Sequence, residues 1–569
     1  MWKNISRQLF GRRVSTGTEI DPDEIFLDSS NLPEFDRHQF EGRLEKPIPA
    51  RTILFAGAVV LAILLLFMGK SFALQVKKYD EYARLSEDNR LRHIIIFGER
   101  GLVYDRRGEI LASNISDPAE PAFSKRKYSQ RKGLAHLLGF LKYPSKDSAG
   151  FYYKVDFEGL AGAEKYLNEE LTPEHGLKII ETDVHGNIAS ESVLKRPVDG
   201  RTITLSIDAR ISERMQELLQ SIAEDRGFQG GAAVIMDVES GEILALSSYP
   251  EYKPQMLTDG IDSTAIRAAF ADPRKPFLNR ATEGLYSPGS IVKPFFAIAA
   301  LEEKIITPEK EILSTGSISI QNPYDPEKKT VFRDWKAHGL VNMREAIAVS
   351  SDVYFYEVGG GFEDQKGLGI GRIDTYARLF GFGREPGGNN FFGAAGVIPT
   401  PAWKAAHFDG EPWRVGDTYN TSIGQYGFQV TPLQAVRATA AVANNGKLLE
   451  PRLIHESGDP TFELIPASLE SFKVAQEGMR DSVKYGTAAG LAVPFVTIGG
   501  KTGTAELGTA KKFVNSWVTG FFPYEHPRFA FAVLLERGPR GNTVGAVYLM
   551  RQLLEWMNVY TPEYFKAAD

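Results

Sequence analysis

Residues 288–303 read PGSIVKPFFAIAALEE. A Pro–Gly turn followed by a serine marks a helix start, and the run behind it is apolar enough for a buried helix. Pro294 falls in the first turn, where the amides have no intrahelical partner to lose. One helical turn returns Lys293 to the side of Ser290, so amine and hydroxyl are expected to share a hydrogen bond. The positive end of the helix favours negative charge building up near the serine. A serine three residues before a lysine is a weak signal alone, and four such pairs occur: Ser124/Lys127, Ser129/Lys132, Ser192/Lys195 and Ser290/Lys293. Only the last opens an apolar helix after a turn; the others sit in basic or polar segments.

Two further strings single this pair out. Ser350–Ser351–Asp352 begins a helix-like run, SSDVYFYEVG, and Lys501–Thr502–Gly503–Thr504 lies within a predicted strand. Each alone is an ordinary helix cap or hairpin turn. In the order SxxK, SxD, KTG, separated by 60 and 151 residues, they match the pattern of active-site-serine acyl transferases.

That chemistry needs these residue types. An alkyl hydroxyl is a poor nucleophile until a neighbouring base takes its proton. Lys293 can act as that base only when neutral, which requires its reference pKa of ~10.4 to fall by several units. Burial, the helix end and a second cation at Lys501 all push in that direction. Ser350 is placed to relay a proton between Lys293 and a leaving amine. Lys501, Thr502, Gly503 and Thr504 form a cationic, hydroxyl-bearing strand edge suited to a carboxylate. The amides of Ser290 and Thr504 are the natural oxyanion donors, worth roughly 3–4 kcal/mol each in comparable sites.

The strands around these motifs come from both ends of one segment. Ala232–Asp237 and Glu242–Ser248 make a hairpin behind a long helix at 209–226, and 496–506, 512–522 and 529–536 give three more strands. Helix-rich sequence lies between, including 290–303 and 342–357. The expected fold is α/β (α+β), with a five-stranded antiparallel sheet flanked by helices over 207–569. Residues 75–206 read as a small α+β pedestal, with strand-like runs in RGLVYDRRGEILASN (100–114) and 177–205. The pedestal also has a short amphipathic helix at 159–171.

Thr52 to Gly69 is an uncharged apolar run between Arg51 and Lys70, predicting a single membrane helix over 52–74. Residues 1–51 read as an arm, acidic and apolar-poor from Glu19 to Asp36, and 79–92 as a polar helical stalk. Flanking charges are balanced and do not set the orientation. Among 569 residues there is no cysteine, which excludes disulfides, thiolate metal sites and a thiol nucleophile. Nine histidines form no HExxH, so no metal is expected, and a net charge of −6 argues against a nucleic-acid binder.

With these residues in hand, the chain resembles the class B penicillin-binding proteins from the anchor to the C-terminus. RGLVYDRRGEILASN is similar to the family's post-anchor motif and GLAGAEKYLNEEL to its pedestal helix. FLNRATEGLYSPGSIVKPF, TSIGQYGFQVTPLQ and GGKTGTAE resemble stretches of its transpeptidase domain. VFRDWKAHGLVNMREAIAVSSDVYFYEVG, GVIPTPAWK and Asp352 are most similar to its cell-elongation branch.

The resemblance implies Ser290 as acyl-enzyme nucleophile, Lys293 as its base partner, Ser350 and Asp352 as the second motif, and Lys501, Thr502, Gly503 and Thr504 as the substrate strand. It implies cross-linking of peptidoglycan stem peptides, covalent inhibition by β-lactams, no cofactor, and a periplasmic catalytic part on an inner-membrane anchor. The partners it implies are a SEDS-family, RodA-like glycosyltransferase and rod-shape scaffold proteins. A septal transpeptidase, a carboxypeptidase or β-lactamase, and a β-lactam-acylated receptor or scaffold are the alternatives. Trp335, Trp403 and Trp413 either line the cleft or pack. Arg333, Asp334, Gln425 and Tyr426 share the family pattern without a role derivable from sequence.

Overall fold

A computed structural model describes residues 49–82, 91–148, 151–182, 188–322, 325–387, 393–455, 458–508 and 510–566. Most of the expected arm (1–48) and the middle of the expected stalk (83–90) lie outside the described residues. The anchor helix is Ala50–Phe72, continued by a π-helical turn at Ala73–Lys77. It starts two residues before the expected Thr52, after Pro49. None of its residues is buried, and its mean hydropathy is 2.7. At 1.5 Å per residue, 23 α-helical residues span ~34 Å, enough for a bilayer core.

In the pedestal, Ile203–Thr204, Val103–Tyr104, Ile110–Ile115 and Lys125–Tyr128 form a four-stranded sheet in that order, the first pair parallel. A second sheet joins Leu91–Ile96, Gly176–Thr182 and Ile188–Lys195. The expected helix at 159–171 is two short helices, Gly162–Tyr166 and Asn168–Leu171. The first carries Glu164, almost fully buried, whose two oxygens each accept from a buried guanidinium at 2.7 Å: Arg100 on one, Arg126 on the other. Burial alone would raise this carboxyl; the two guanidinia outweigh it and hold it below its usual range. Glu164→Ala, leaving two buried cations unpaired, is expected to lower unfolding free energy by ~3–5 kcal/mol in denaturant titrations.

In the catalytic part the elements, in chain order, are α1 (Ala209–Arg226), β1 (Gly230–Asp237), β2 (Ile243–Tyr249), α2 (Lys293–Glu302), α3 (Asp352–Gly360), α4 (Pro401–His407), α5 (Val415–Ser422), α6 (Pro432–Ala443), α7 (Leu469–Lys484), β3 (Gly499–Leu507), β4 (Phe513–Phe522), β5 (Phe529–Pro539) and α8 (Ala546–Tyr560). The sheet order is β2-β1-β5-β4-β3, antiparallel throughout. Both faces are covered, so β5 reads as a continuous apolar run rather than an alternation. Phe529, Phe531, Val533 and Leu535 meet α1 and α8, while Ala530, Ala532 and Leu534 face the core containing α2 and α6. The small residues on that second face let α6, buried along its whole length, lie close to the sheet.

The core on the α2 and α6 side continues without a break into the pedestal, taking in Val103, Leu111, Leu137 and Leu171. At this junction His136 is fully buried, its ring edge-on to Tyr252 at 5.0 Å. Burial pushes its pKa down to about 4 from 6.5. A depressed histidine leaves stability intact above pH 6.5. Stability then falls as pH drops toward 4, because only the unfolded chain takes up the proton in that window. The loss is ~1.4 kcal/mol per pH unit. Thermal unfolding should therefore show a pH 7 to pH 5 drop in Tm that shrinks in His136→Phe.

Candidate active site

The nucleophile candidate sits on a two-stage helix start. Gly289 takes φ +58° after Pro288, a 3₁₀ turn covers Gly289–Val292, and the α-helix proper begins at Lys293. Ser290 therefore lies inside the first turn and does not cap it with its side chain. Its backbone N–H has no partner among the described residues, as expected for an amide at a helix start.

Lys293 and Ser290 do not share the expected hydrogen bond. Fully buried, Lys293 Nζ donates instead to Asp352 Oδ1 at 2.6 Å and Ser350 O at 2.8 Å, with Ser350 Oγ at 3.4 Å. From β3, the equally buried Lys501 donates to the same Ser350 Oγ at 2.8 Å and to Thr502 O at 3.0 Å. One serine hydroxyl is thus held between two lysines, with one carboxylate beside them. Burial, then repulsion from Lys293, drives the Lys501 ammonium well below its usual range. Burial raises the Asp352 carboxyl despite the pull of Lys293.

The helix-rich stretch at 342–357 is two helices, and the run expected to begin at Ser350–Ser351–Asp352 is the second of them. Met343–Ala348 ends, Ser350 adopts φ +59°, and α3 starts at Asp352 with Ser351 as its N-cap. A left-handed serine is strained, and the strain turns its hydroxyl to the lysines. Asp334 holds the break in place. Its Oδ2 accepts from Ser351 Oγ at 2.9 Å and Val353 N at 3.0 Å, and its Oδ1 accepts from Trp335 N at 2.8 Å. The family pattern included this aspartate without a role, because the partners that give it one lie 17 and 19 residues further on.

The KTGT row divides across β3. Lys501 and Gly503 face α2, and a Cβ on Gly503 would stand 2.7 Å from Pro288 O. Only glycine admits the nucleophile turn this close to the strand. Thr502 instead donates its hydroxyl to Thr487 Oγ1 at 2.7 Å, and Thr504 is exposed. Of the expected hydroxyl-bearing edge, Thr504 is exposed and Thr502 half-buried. Trp403 and Trp413 are half-buried and pack on Tyr426, whereas Trp335 is exposed beside His338. Replacing Asp334 by Ala orphans Val353 N and frees Ser351. The expected cost is ~1–3 kcal/mol per buried group left unpaired, read as a lowered Tm, together with slower acylation by a fluorescent penicillin.

A serine on a helix start, a second serine between two buried lysines, and a five-stranded antiparallel sheet covered on both faces define an active-site-serine acyl transferase. Residues 231–555 match the penicillin binding protein transpeptidase domain, and residues 122–205 the penicillin-binding protein dimerisation domain. The chain belongs to the penicillin-binding protein transpeptidase family. It is 30% identical to the peptidoglycan D,D-transpeptidase MrdA of Salmonella typhimurium over 76% of this chain and 73% of that one. The MrdA of Haemophilus influenzae is 26% identical over 92% and 94%. Among solved structures, the complex of penicillin-binding protein PBP2 and MreC from Helicobacter pylori aligns at TM-score 0.70 and 26% identity, over 83% of this chain and all of that one. The protein is accordingly a class B enzyme anchored in the inner membrane by the one membrane-length helix among the described residues, its pedestal and catalytic parts periplasmic.

Proposed function

We propose that Ser290 is the nucleophile with which this D,D-transpeptidase cross-links stem peptides during cell-wall elongation. The transpeptidase activity follows from the family. The observation that carries the site assignment is the meeting of Lys293, Ser350, Asp352 and Lys501 within 3.4 Å contacts behind the turn that bears Ser290. Ser290 Oγ attacks the carbonyl of the penultimate D-alanine, and its proton passes to neutral Lys293 Nζ. Asp352, whose ionised form burial disfavours, is the adjacent site for the proton that Lys293 must first shed. The Ser290 and Thr504 amides receive the oxyanion. Ser350 hands the proton on to the departing nitrogen, the C–N bond breaks and D-alanine leaves. An amine of a second stem peptide then attacks the acyl-enzyme carbonyl, the C–O bond to Ser290 breaks, and the proton lost by the amine returns to Ser290 Oγ. Thr504 and the Lys501 charge receive the substrate carboxylate, with Thr502 and Gly503 shaping that strand.

Similarity to MrdA along nearly the whole chain supports the elongation role over the septal one. We propose a rod-shape scaffold protein of the MreC kind as a partner, because the similar Helicobacter PBP2 forms a complex with MreC, and a SEDS-type glycosyltransferase beside the anchor. β-Lactams are read as substrate mimics that stop at the acyl-enzyme. Peptide mapping after labelling with a fluorescent penicillin should find the label on Ser290, and Ser290→Ala should fail to restore rod growth in depleted cells. Lys293→Ala should slow acylation by about 10²–10⁴-fold, the range for a positioned base. A label on another residue, or acylation at the normal rate without Lys293, would reject the assignment.

A further inference from the structure

Taking Ser290 as the nucleophile, we infer that Lys404 and Asp417, with Tyr426, are positioning residues that set the nucleophile turn against the Ser350–Asp352 turn through α5 and the loop behind it.

Lys404 is buried to 2% exposure on α4, and its ammonium donates to Asp417 Oδ2 at 2.7 Å. The same oxygen accepts from Arg414 N at 2.8 Å, so Asp417 also caps α5. The phenol of Tyr426 joins this pair, and its ring packs edge-on against Trp403 and Trp413. Burying a lysine on a short surface helix is costly, and the pair repays that cost only by fixing geometry. What it fixes is a segment with two outputs.

The first output is α3. Ser422 Oγ, at the end of α5, donates to Phe355 O at 2.8 Å, and Tyr419 OH donates to Gly361 O at 2.6 Å. Both acceptors belong to the helix, or its cap, that starts at Asp352. The second output is the nucleophile turn. Gly289 N–H donates to Gly424 O at 3.0 Å, and Tyr286 and Val430 exchange both backbone hydrogen bonds at 3.0 and 2.9 Å. The approach is close enough that a Cβ on Gly424 would lie 2.2 Å from Gly289 O. Tyr426 takes φ +60°, a conformation a non-glycine residue adopts only under constraint, so this loop is held by its contacts rather than by its own preference. The segment 415–430 therefore ties both motifs together from behind, and the Lys404–Asp417 pair is its fixed end. Gly289 N–H, whose place at the helix start leaves it no intrahelical partner, is satisfied by this segment.

The test uses the full-length protein in detergent, with fluorescent-penicillin acylation resolved by stopped flow into the binding constant and the acylation rate constant. Lys404→Met should lower the acylation rate constant tenfold or more, with the binding constant within twofold of wild type. Lys404→Arg, which keeps the cation, should recover most of the rate. Leu549→Ala, a cavity in α8 on the opposite face of the sheet, serves as the control for lost stability. It should lower Tm while keeping the acylation rate constant. Should Lys404→Met fail to fold, Tyr426→Phe removes a single hydroxyl and is expected to slow acylation about threefold. A normal acylation rate constant in Lys404→Met, or in Tyr426→Phe where that variant replaces it, overturns the inference. So does an equal loss in Leu549→Ala. Peptide mapping in the same samples separates the two readings: a label away from Ser290 rejects the nucleophile assignment, whereas Ser290 labelled at the normal rate rejects only the positioning role.

Discussion

Two lysines with no exposed surface share one serine hydroxyl, and a single aspartate supplies the counter-charge. Buried cations a few ångströms apart repel strongly in a medium that screens poorly, and each also loses its hydration. An arrangement of this kind survives only when the surrounding frame leaves it no way to relax. Much of the catalytic part supplies that frame. β3 is pinned at one edge of the sheet, α2 is buried along nearly its whole length, and Asp334 locks the turn between them. The electrostatic tension is useful because a proton held among crowded cations and a reluctant carboxyl is easily moved.

The sheet is what allows such a frame to form. Both of its faces are apolar, so β5 sits at the centre with helices on either side and the edge strand β3 carries Lys501. Alanines on the α6 face bring a fully buried helix close, and Gly503 brings the nucleophile turn equally close to β3. Chemistry here depends on small residues as much as on the charged ones, because they set the spacing at which the charged ones meet.

How much of this was legible in the sequence follows from range. The five strands, the helix at 209–226 and the anchor announce themselves through local apolar patterning, and their bounds shift by only a few residues. Ser290, Lys293, Ser350, Asp352 and Lys501 were found by motif order, and the last four meet through hydrogen bonds. Bond partners were not legible. One helical turn does bring Lys293 near Ser290, yet its donors are claimed by Asp352 and Ser350 O, residues 57 or more positions away. The split of Lys501 and Gly503 from Thr502 and Thr504 follows from strand alternation, but which face meets the nucleophile turn is set by tertiary packing. Asp334 and Lys404 lie in stretches that share the family pattern, but their partners, 13 to 19 residues further on, were not legible.

The pedestal's sheet and the catalytic domain draw on one apolar core, even though two separate family descriptions cover them. Val103, Leu111 and Leu171 lie in the same packed interior as Phe296 and Phe428. Evolution therefore could not shuffle this catalytic domain freely onto other supports. Removing the support would uncover an oily face that water cannot solvate, and any replacement would need the same contour. In such a molecule a push on the pedestal is borne by close-packed side chains rather than by a hinge.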